Sequence, residues 1–166
     1  MPALRAADRP GIRLLRDPVQ LVAFGFGAGL SPWAPGTLGT ACSLPLAWLV
    51  MGWPLAWGAA LVGSLILCGI PICGIATRRL GVHDHPGIVL DEIAAMLLLA
   101  LTLPKNVVWL AGAFVLFRLF DIVKPWPIRE MDHRLGGGVG IMLDDLMAAV
   151  YAMACLQGIR YLLAIA

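Results

Sequence analysis

Long apolar stretches separated by two kinds of connection organise this chain. Met1 to Pro18 is polar and carries Arg5, Arg9, Arg13 and Arg16, after which Val19 to Leu30 stays apolar for only a dozen residues. That length is too short to cross a bilayer and predicts an interfacial or re-entrant helix. Ser31 to Thr40 reads as a Pro/Gly loop, and Ala41 to Ala76 is apolar over about twice the length of one span. Gly52-Trp53-Pro54 interrupts that stretch and predicts a tight turn between two helices, the first short and ending at Met51. Thr77 to Pro86 is polar, a third helix runs to Leu103, and Pro104-Lys105-Asn106 forms a second turn. A fourth helix spans Val107 to Ile122, Val123 to Gly140 is polar and Gly-rich, and Ile141 to Ala166 forms the last helix.

The pattern predicts an all-α, polytopic membrane bundle: about five transmembrane helices plus the short N-terminal one. Composition agrees. The chain is 60% hydrophobic and 13% charged, against roughly a quarter charged in soluble domains. With 166 residues it has room for a single membrane domain, residues 1–166, and little else. The net charge of +2 matters less than where the cations lie. Arg78, Arg79, Lys124, Arg129 and Arg134 fall on the long polar connections, whereas Lys105 and Arg160 are alone on the opposite face. The positive-inside rule therefore predicts a multi-pass protein of the inner (cytoplasmic) membrane, with the N-terminus and the polar loops in the cytoplasm. The same rule accounts for the arginines, so no nucleic-acid partner is expected; the expected surroundings are the lipid bilayer.

Against this apolar background the acids stand out. Asp91 and Glu92 sit side by side in the run IVLDEIAAMLLLALTL, and Asp144-Asp145 repeat the pairing in the last segment. A carboxylate at membrane depth costs several kcal/mol unless a cation, proton or metal compensates it, and adjacent carboxylates oppose each other's ionisation. With Asp84 as an N-cap and Pro86 early in the helix, Asp91 and Glu92 lie more than a turn inside, beyond the reach of the helix dipole. Asp144 and Asp145, at the start of the last helix, are open to dipole stabilisation. Neighbouring helical residues point about 100° apart, so one acid of each pair faces the site and the other serves as a cap or a secondary contact. Arg118, Asp121 and Lys124 follow at intervals of three, on one side of the end of the fourth helix. Asp121 there opposes the dipole, which gives it a claim to function. The stiff turn Lys124-Pro125-Trp126-Pro127-Ile128-Arg129 holds two cations for phosphate contacts. Pro35-Gly36-Thr37-Leu38-Gly39-Thr40 is either a capped helix start or an anion cradle. Gly136, Gly137, Gly138 and Gly140 allow close approach of another segment or of a ligand.

Three blocks, GLSPWAPGTLGT at Gly29–Thr40, HDHPGIVLDE at His83–Glu92 and FDIVKPWPIREMDHRLGGGVGIMLDD at Phe120–Asp145, resemble the phosphatidylglycerophosphatase A family of integral membrane lipid phosphatases. The resemblance implies Mg²⁺-dependent removal of the terminal phosphate of phosphatidylglycerophosphate, yielding phosphatidylglycerol. It carries motif roles onto Pro35, Gly36, Thr37, Gly39 and Thr40, onto Asp84, Asp91 and Glu92, and onto Asp121, Lys124, Pro125, Arg129, Asp132, Gly137, Gly140, Asp144 and Asp145. Hard carboxylate oxygens suit Mg²⁺. Asp91, Asp121 and Asp144 are the expected ligands, with Glu92 and Asp145 as alternates and Asp84 in the catalytic set. Lys124, Arg129 and Arg134 would neutralise phosphate oxygens, while Thr37, Gly39 and Thr40 position the head group. Either metal-activated water or an aspartate can be the nucleophile. An ion-coupled transporter would also use intramembrane acids and broken helices, but needs polar groups leading to both faces. The DGxxAR pattern of CDP-alcohol phosphotransferases is missing.

Overall fold

The computed structural model describes residues 11–82 and 85–165, apart from the side chains at 132–134 and 165. A 3-10 turn, Ile12–Arg16, leads to α1 (Pro18–Ala23) and a second 3-10 segment, Gly25–Leu30. The longer helices follow: α2 (Pro35–Val50), α3 (Leu55–Leu80), α4 (Leu90–Leu101) and α5 (Val107–Val123). The short α6 (Ile128–Arg134) then precedes α7 (Gly137–Ile165). The all-helical class is as the sequence predicts.

The predicted turns fall where expected, at Gly52-Trp53-Pro54 between α2 and α3 and at residues 104–106 between α4 and α5. Asn106 caps α5, its Oδ1 accepting the Val108 N–H at 2.8 Å. Both turns lie at one end of the bundle; the longer connections lie at the other. At that second end α1 leans on α3, where Gln20 Nε2 donates to the Ala76 carbonyl at 3.1 Å and Arg79 pairs with Asp17. The short N-terminal helix is therefore present, but it is only six residues long and bends into the 3-10 segment.

α4 is the centre. Nine of its twelve residues are buried, and α2, α3, α5 and α7 surround it. Ala94, Ala95 and Ala100 let these neighbours approach closely, and Met96, Leu97 and Leu99 fill the interior. Outside, the pattern inverts: Trp57 and Leu67 of α3 and Val108 of α5 are each more than two-thirds exposed. Exposed apolar area on this scale marks a surface that meets something other than water.

The structure bears on two further expectations. Of the five expected spans, two helices among the described residues are long and apolar enough to cross a membrane, α3 and α7. α2, α4 and α5 have 16, 12 and 17 residues, short of the ~20 a full span needs. α4 can be short because protein rather than lipid covers it, and because its expected first turn is a separate non-helical turn instead: the Ile88 N–H donates to the His85 carbonyl and the Val89 N–H to the Ala23 carbonyl, each at 2.9 Å. The other is corrected: residues 35–40 form the start of α2 rather than a loop. Pro35 suits a first helical turn, since its missing N–H would have had no intrahelical partner, and Ala34 turns the chain into the helix with φ 43°.

The glycine run also resolves. α7 begins at Gly137 instead of Ile141, and a Cβ on Gly138 would lie 1.8 Å from the Ile70 carbonyl oxygen of α3. The close approach is thus to a helix. Gly138→Val should separate α3 from α7 and lower stability by about 3 kcal/mol, the upper range for overpacking. Gly63→Ala, where a Cβ meets nothing within 4 Å, should be neutral or gain roughly 0.5–1 kcal/mol. Thermal unfolding of both variants in detergent checks the pair.

Candidate active site

Three helices deliver the acids to the end of the bundle opposite the tight turns. Because α4 starts at Leu90, Asp91 and Glu92 lie in its first turn, where the positive end of the helix dipole favours them. Asp91 Oδ1 accepts the Glu92 N–H at 3.0 Å. Asp144 and Asp145 show the reverse: α7 begins seven residues earlier, so they stand about two turns inside it. The two pairs have exchanged the electrostatic positions expected of them. All four are buried, with at most 9% of each exposed.

Cations answer part of this charge. Arg118 of α5, only 13% exposed, lies 3.1 Å from Glu92 Oε1 and 2.5 Å from Asp121 Oδ2. Lys124 Nζ lies 2.6 Å from Asp144 Oδ2. Lys124 closes α5 in the left-handed region, φ 44°, where glycine is the usual residue. This costs a lysine on the order of 1–2 kcal/mol, and it turns the chain so that the ammonium reaches α7. Beyond it the Trp126–Pro127 peptide is cis, and the Tyr151 hydroxyl donates to the Trp126 carbonyl at 2.9 Å.

Gly36 shows how closely α2 abuts the acids. A Cβ there would lie 1.9 Å from Glu92 Oε1 and 3.1 Å from Arg118 Nη1. Thr37 is half-buried one residue further on. Gly39 and Thr40 are not brought to the acids: Gly39 backs onto Val89, and the Thr40 hydroxyl donates to the Gly36 carbonyl at 2.9 Å within its own helix. Arg129 is exposed on α6 and makes no ion pair with a described residue. Asp84 and the side chain of Arg134 lie outside the described residues. His85 supports the loop before α4, its Nδ1 accepting the Gly87 N–H at 3.0 Å and its ring meeting Phe24.

Five carboxylates (Asp91, Glu92, Asp121, Asp144 and Asp145) thus gather around two cations among the described residues. Asp145 lies within electrostatic reach of the other four, and its buried Oδ2 has no hydrogen-bond partner among the described residues. That orphaned oxygen, in a set of hard carboxylate donors, is of the chemical type that suits a divalent cation such as Mg²⁺. No three His, Cys, Asp or Glu side chains among the described residues form a ready cage. Arg118 and Lys124 stand against Glu92, Asp121 and Asp144 where a cation would otherwise sit.

Residues 21–160 match the sequence profile of the family described as Phosphatidylglycerophosphatase A. The chain belongs to the phosphatidylglycerophosphatase A family. It is 42% identical over 150 residues to the Phosphatidylglycerophosphatase A of Escherichia coli (strain K12), covering 89% of this chain and 86% of that one. It is 39% identical over 150 residues to the protein of the same name in Haemophilus influenzae, covering 89% and 91%. It is 36% identical over 151 residues to a Putative phosphatidylinositol-3-phosphatase of Bacteroides thetaiotaomicron, covering 86% and 94%. No solved structure matches. Membership in the phosphatidylglycerophosphatase A family makes this chain an enzyme, a phosphatase.

The residue that sequence reasoning underrated is Arg118, which reads there as one member of a neutralising chain. Its signal was the only charge within the apolar run Val107 to Phe120; its partner Glu92, 26 positions away, carries no local signature. Arg118→Leu should remove the guanidinium that pairs with both the buried Glu92 and the largely covered Asp121 and destabilise the protein by about 3–5 kcal/mol. Adding Glu92→Gln to that variant should recover part of the loss, as thermal or denaturant unfolding of single and double variants would show.

Proposed function

We propose that this chain hydrolyses phosphatidylglycerophosphate to phosphatidylglycerol and inorganic phosphate, at the end of the bundle where the acids gather. The observation that carries the reading is the convergence of carboxylates from α4, α5 and α7, those of α4 and α7 buried, with Lys124 and Arg118, in a chain of this family. Two relatives are named for that lipid and one for a phosphoinositide, and a phosphate monoester on a lipid is common to both substrates. The comparisons lend no support to a transporter, whose polar path would have to reach both ends.

The expected membrane placement draws on α7. From Asp144 to Ile165 the helix rises about 31 Å at ~1.5 Å per residue, close to the ~30 Å hydrocarbon core. If the far end of α7 meets one border of the core, Asp144 meets the other, at head-group level. Arg13, Arg16, Arg78, Arg79, Lys124 and Arg129 belong to segments at that same end, which the positive-inside rule assigns to the cytoplasm. The reading is therefore a multi-pass protein of the cytoplasmic membrane with its N-terminus and site on the cytoplasmic side.

Asp91, Glu92, Asp121, Asp144 and Asp145 are the residues that would hold Mg²⁺. The ion would supply positive charge against the phosphoryl oxygens and lower the pKa of a bound water. The chain's own groups do the rest. Lys124 and Arg129 neutralise and orient the phosphate, with Thr37 placed to meet the head group at the start of α2. Water adds to phosphorus as the bond to the glycerol oxygen breaks. A carboxylate takes the water's proton and delivers it to the departing glycerol oxygen, releasing the alcohol.

Phosphate release from phosphatidylglycerophosphate and from phosphatidylinositol 3-phosphate, with and without Mg²⁺, tests the reading. Release from the first that depends on Mg²⁺ is expected; folded protein releasing phosphate from neither lipid sinks it. Asp91→Asn should abolish turnover and shrink the rise in melting temperature that Mg²⁺ gives the parent protein by binding the folded state. Removing the cation in Arg129→Ala should cost on the order of 2–4 kcal/mol of transition-state stabilisation, by analogy with loss of one oxyanion donor. Arg129→Lys should recover little of this if the guanidinium grips phosphate as a fork. Near-normal kcat/KM for both Arg129 variants would reduce that residue to a membrane anchor.

A further inference from the structure

Away from the acids, α2 and α5 leave between them an apolar groove of about 730 Å³, lined among others by Ala41, Leu44, Pro45, Trp48, Val107 and Leu110. Its α2 wall has a cause in the sequence. Pro45 stands inside the helix, so no N–H reaches the Ala41 carbonyl, and the ring crowds that carbonyl. The helix face is thereby loosened where the groove lies. No charged side chain lines the groove.

The groove shares its helices and its register with the site. On α2 the stripe of Trp48, Leu44 and Ala41 continues at helical spacing to Thr37, beside Gly36 and the Glu92 carboxylate. On α5 the stripe of Val107 and Leu110 continues through Phe114 and Phe117 to Asp121. The two helices meet at the site itself, where a Cβ on Gly36 would approach Arg118 Nη1 to 3.1 Å. From Thr37 to Trp48 α2 rises about 16 Å, which matches one leaflet of a ~30 Å hydrocarbon core. At the far end Lys105 Nζ stands over the Trp48 ring, 5.3 Å from its centroid, so the groove stops at a polar turn.

We propose that this groove holds one acyl chain of the phospholipid whose phosphate monoester lies at the acids. The inference rests on the lipid phosphatase reading above and adds to it a built position for the part of the substrate that does not react. An amphiphile anchored by its phosphate at Lys124 and Thr37 needs an apolar path of one leaflet's depth leading away from that point. The α2–α5 face provides it. Binding energy from this remote contact would orient the head group for reaction.

The test uses the full chain in lipid nanodiscs and two photoreactive lipids with the same diazirine midway along one chain. One carries the phosphatidylglycerophosphate head group and the other that of phosphatidylcholine. Expected is cross-linking of the first probe to peptides covering residues 41–49 and 107–110, several-fold above the second. Ala41→Trp or Leu110→Trp, filling the groove from either wall, should each cut that labelling several-fold, so one folded variant suffices. Leu67→Trp, on the exposed face of α3, should leave it unchanged. Equal labelling by both probes would mean any bilayer chain enters, and labelling spread over α3 and α7 would mean no seat exists. Each of these outcomes overturns the proposal. Phosphate release from unlabelled phosphatidylglycerophosphate on the same sample separates the two readings. Release without selective labelling leaves the phosphatase reading and removes the groove, whereas selective labelling without release does the opposite.

Discussion

Buried negative charge is the constraint on which the rest of this structure depends. A carboxylate removed from water costs several kcal/mol unless something of opposite sign stands beside it, and here five converge at one end of an apolar bundle. The helix dipole can help Asp91 and Glu92 in the first turn of α4, but it contributes only about 0.3–1 kcal/mol in exposed settings. It cannot help Asp144 and Asp145, two turns inside α7. Fixed cations must do so, and they are placed where they join elements: Arg118 ties α5 to α4 through Glu92, and Lys124 ties the end of α5 to α7 through Asp144. The ion pairs that make the acids tolerable also close the bundle at this end. At the other end the helices are held by short turns and by contacts such as that of Gln157 Nε2 with the Thr102 carbonyl at 2.7 Å.

That arrangement crowds like charges. Five carboxylates gathered at one place oppose one another's ionisation, and the apolar packing beneath holds them together. α4 carries much of this burden, since its alanines admit four neighbours and its larger side chains fill the interior. Lys124 adds backbone strain with its φ of 44°. Strain and like-charge crowding persist only when surrounding structure over-determines them, and they collect at functional sites. Under the proposed metal-dependent reading, a phosphatase of lipid head groups would have use for such a place, because gathered carboxylates are what would attract a divalent cation.

Much of this was legible from residue order. The turns at Gly52-Trp53-Pro54 and residues 104–106, the helical class and the grouping of the acids follow from hydropathy and from charges in apolar runs. Helix boundaries were less legible, and here they decided the electrostatics. Pro86 and Gly87 look like an early helical turn, yet the Val89 N–H is taken by the Ala23 carbonyl, so α4 starts late and its acids gain the dipole. The Gly-rich run at residues 136–140 looks like a loop, yet Gly137 opens α7 because Gly138 must press against α3. In both places a tertiary contact overrides local propensity. Span count is less legible for a related reason: apolar length measures distance from water, and a helix such as α4, sheathed by other helices, meets that condition through protein contacts.

The unequal helix lengths bear on how a lipid head group could reach such a site. α3 and α7, at 26 and 29 residues, stand beside α2 and α5 at 16 and 17. The shorter pair rises about 24–26 Å at ~1.5 Å per residue, less than the ~30 Å hydrocarbon core. A short hydrophobic stretch draws head groups inward by local thinning of the bilayer, at a cost of fractions of a kcal/mol per Å. Gly36 and Thr37 begin one of the short helices, and Arg118 and Asp121 lie near the end of the other. Under the proposed interfacial placement, thinning would be greatest along the face that α2 and α5 share, and a phosphate there would descend toward the acids instead of the acids rising to meet it. The long helices would meanwhile keep the bundle anchored through the full core. Short and long helices in one small bundle would then answer two separate demands, spanning the bilayer and lowering its surface at one place.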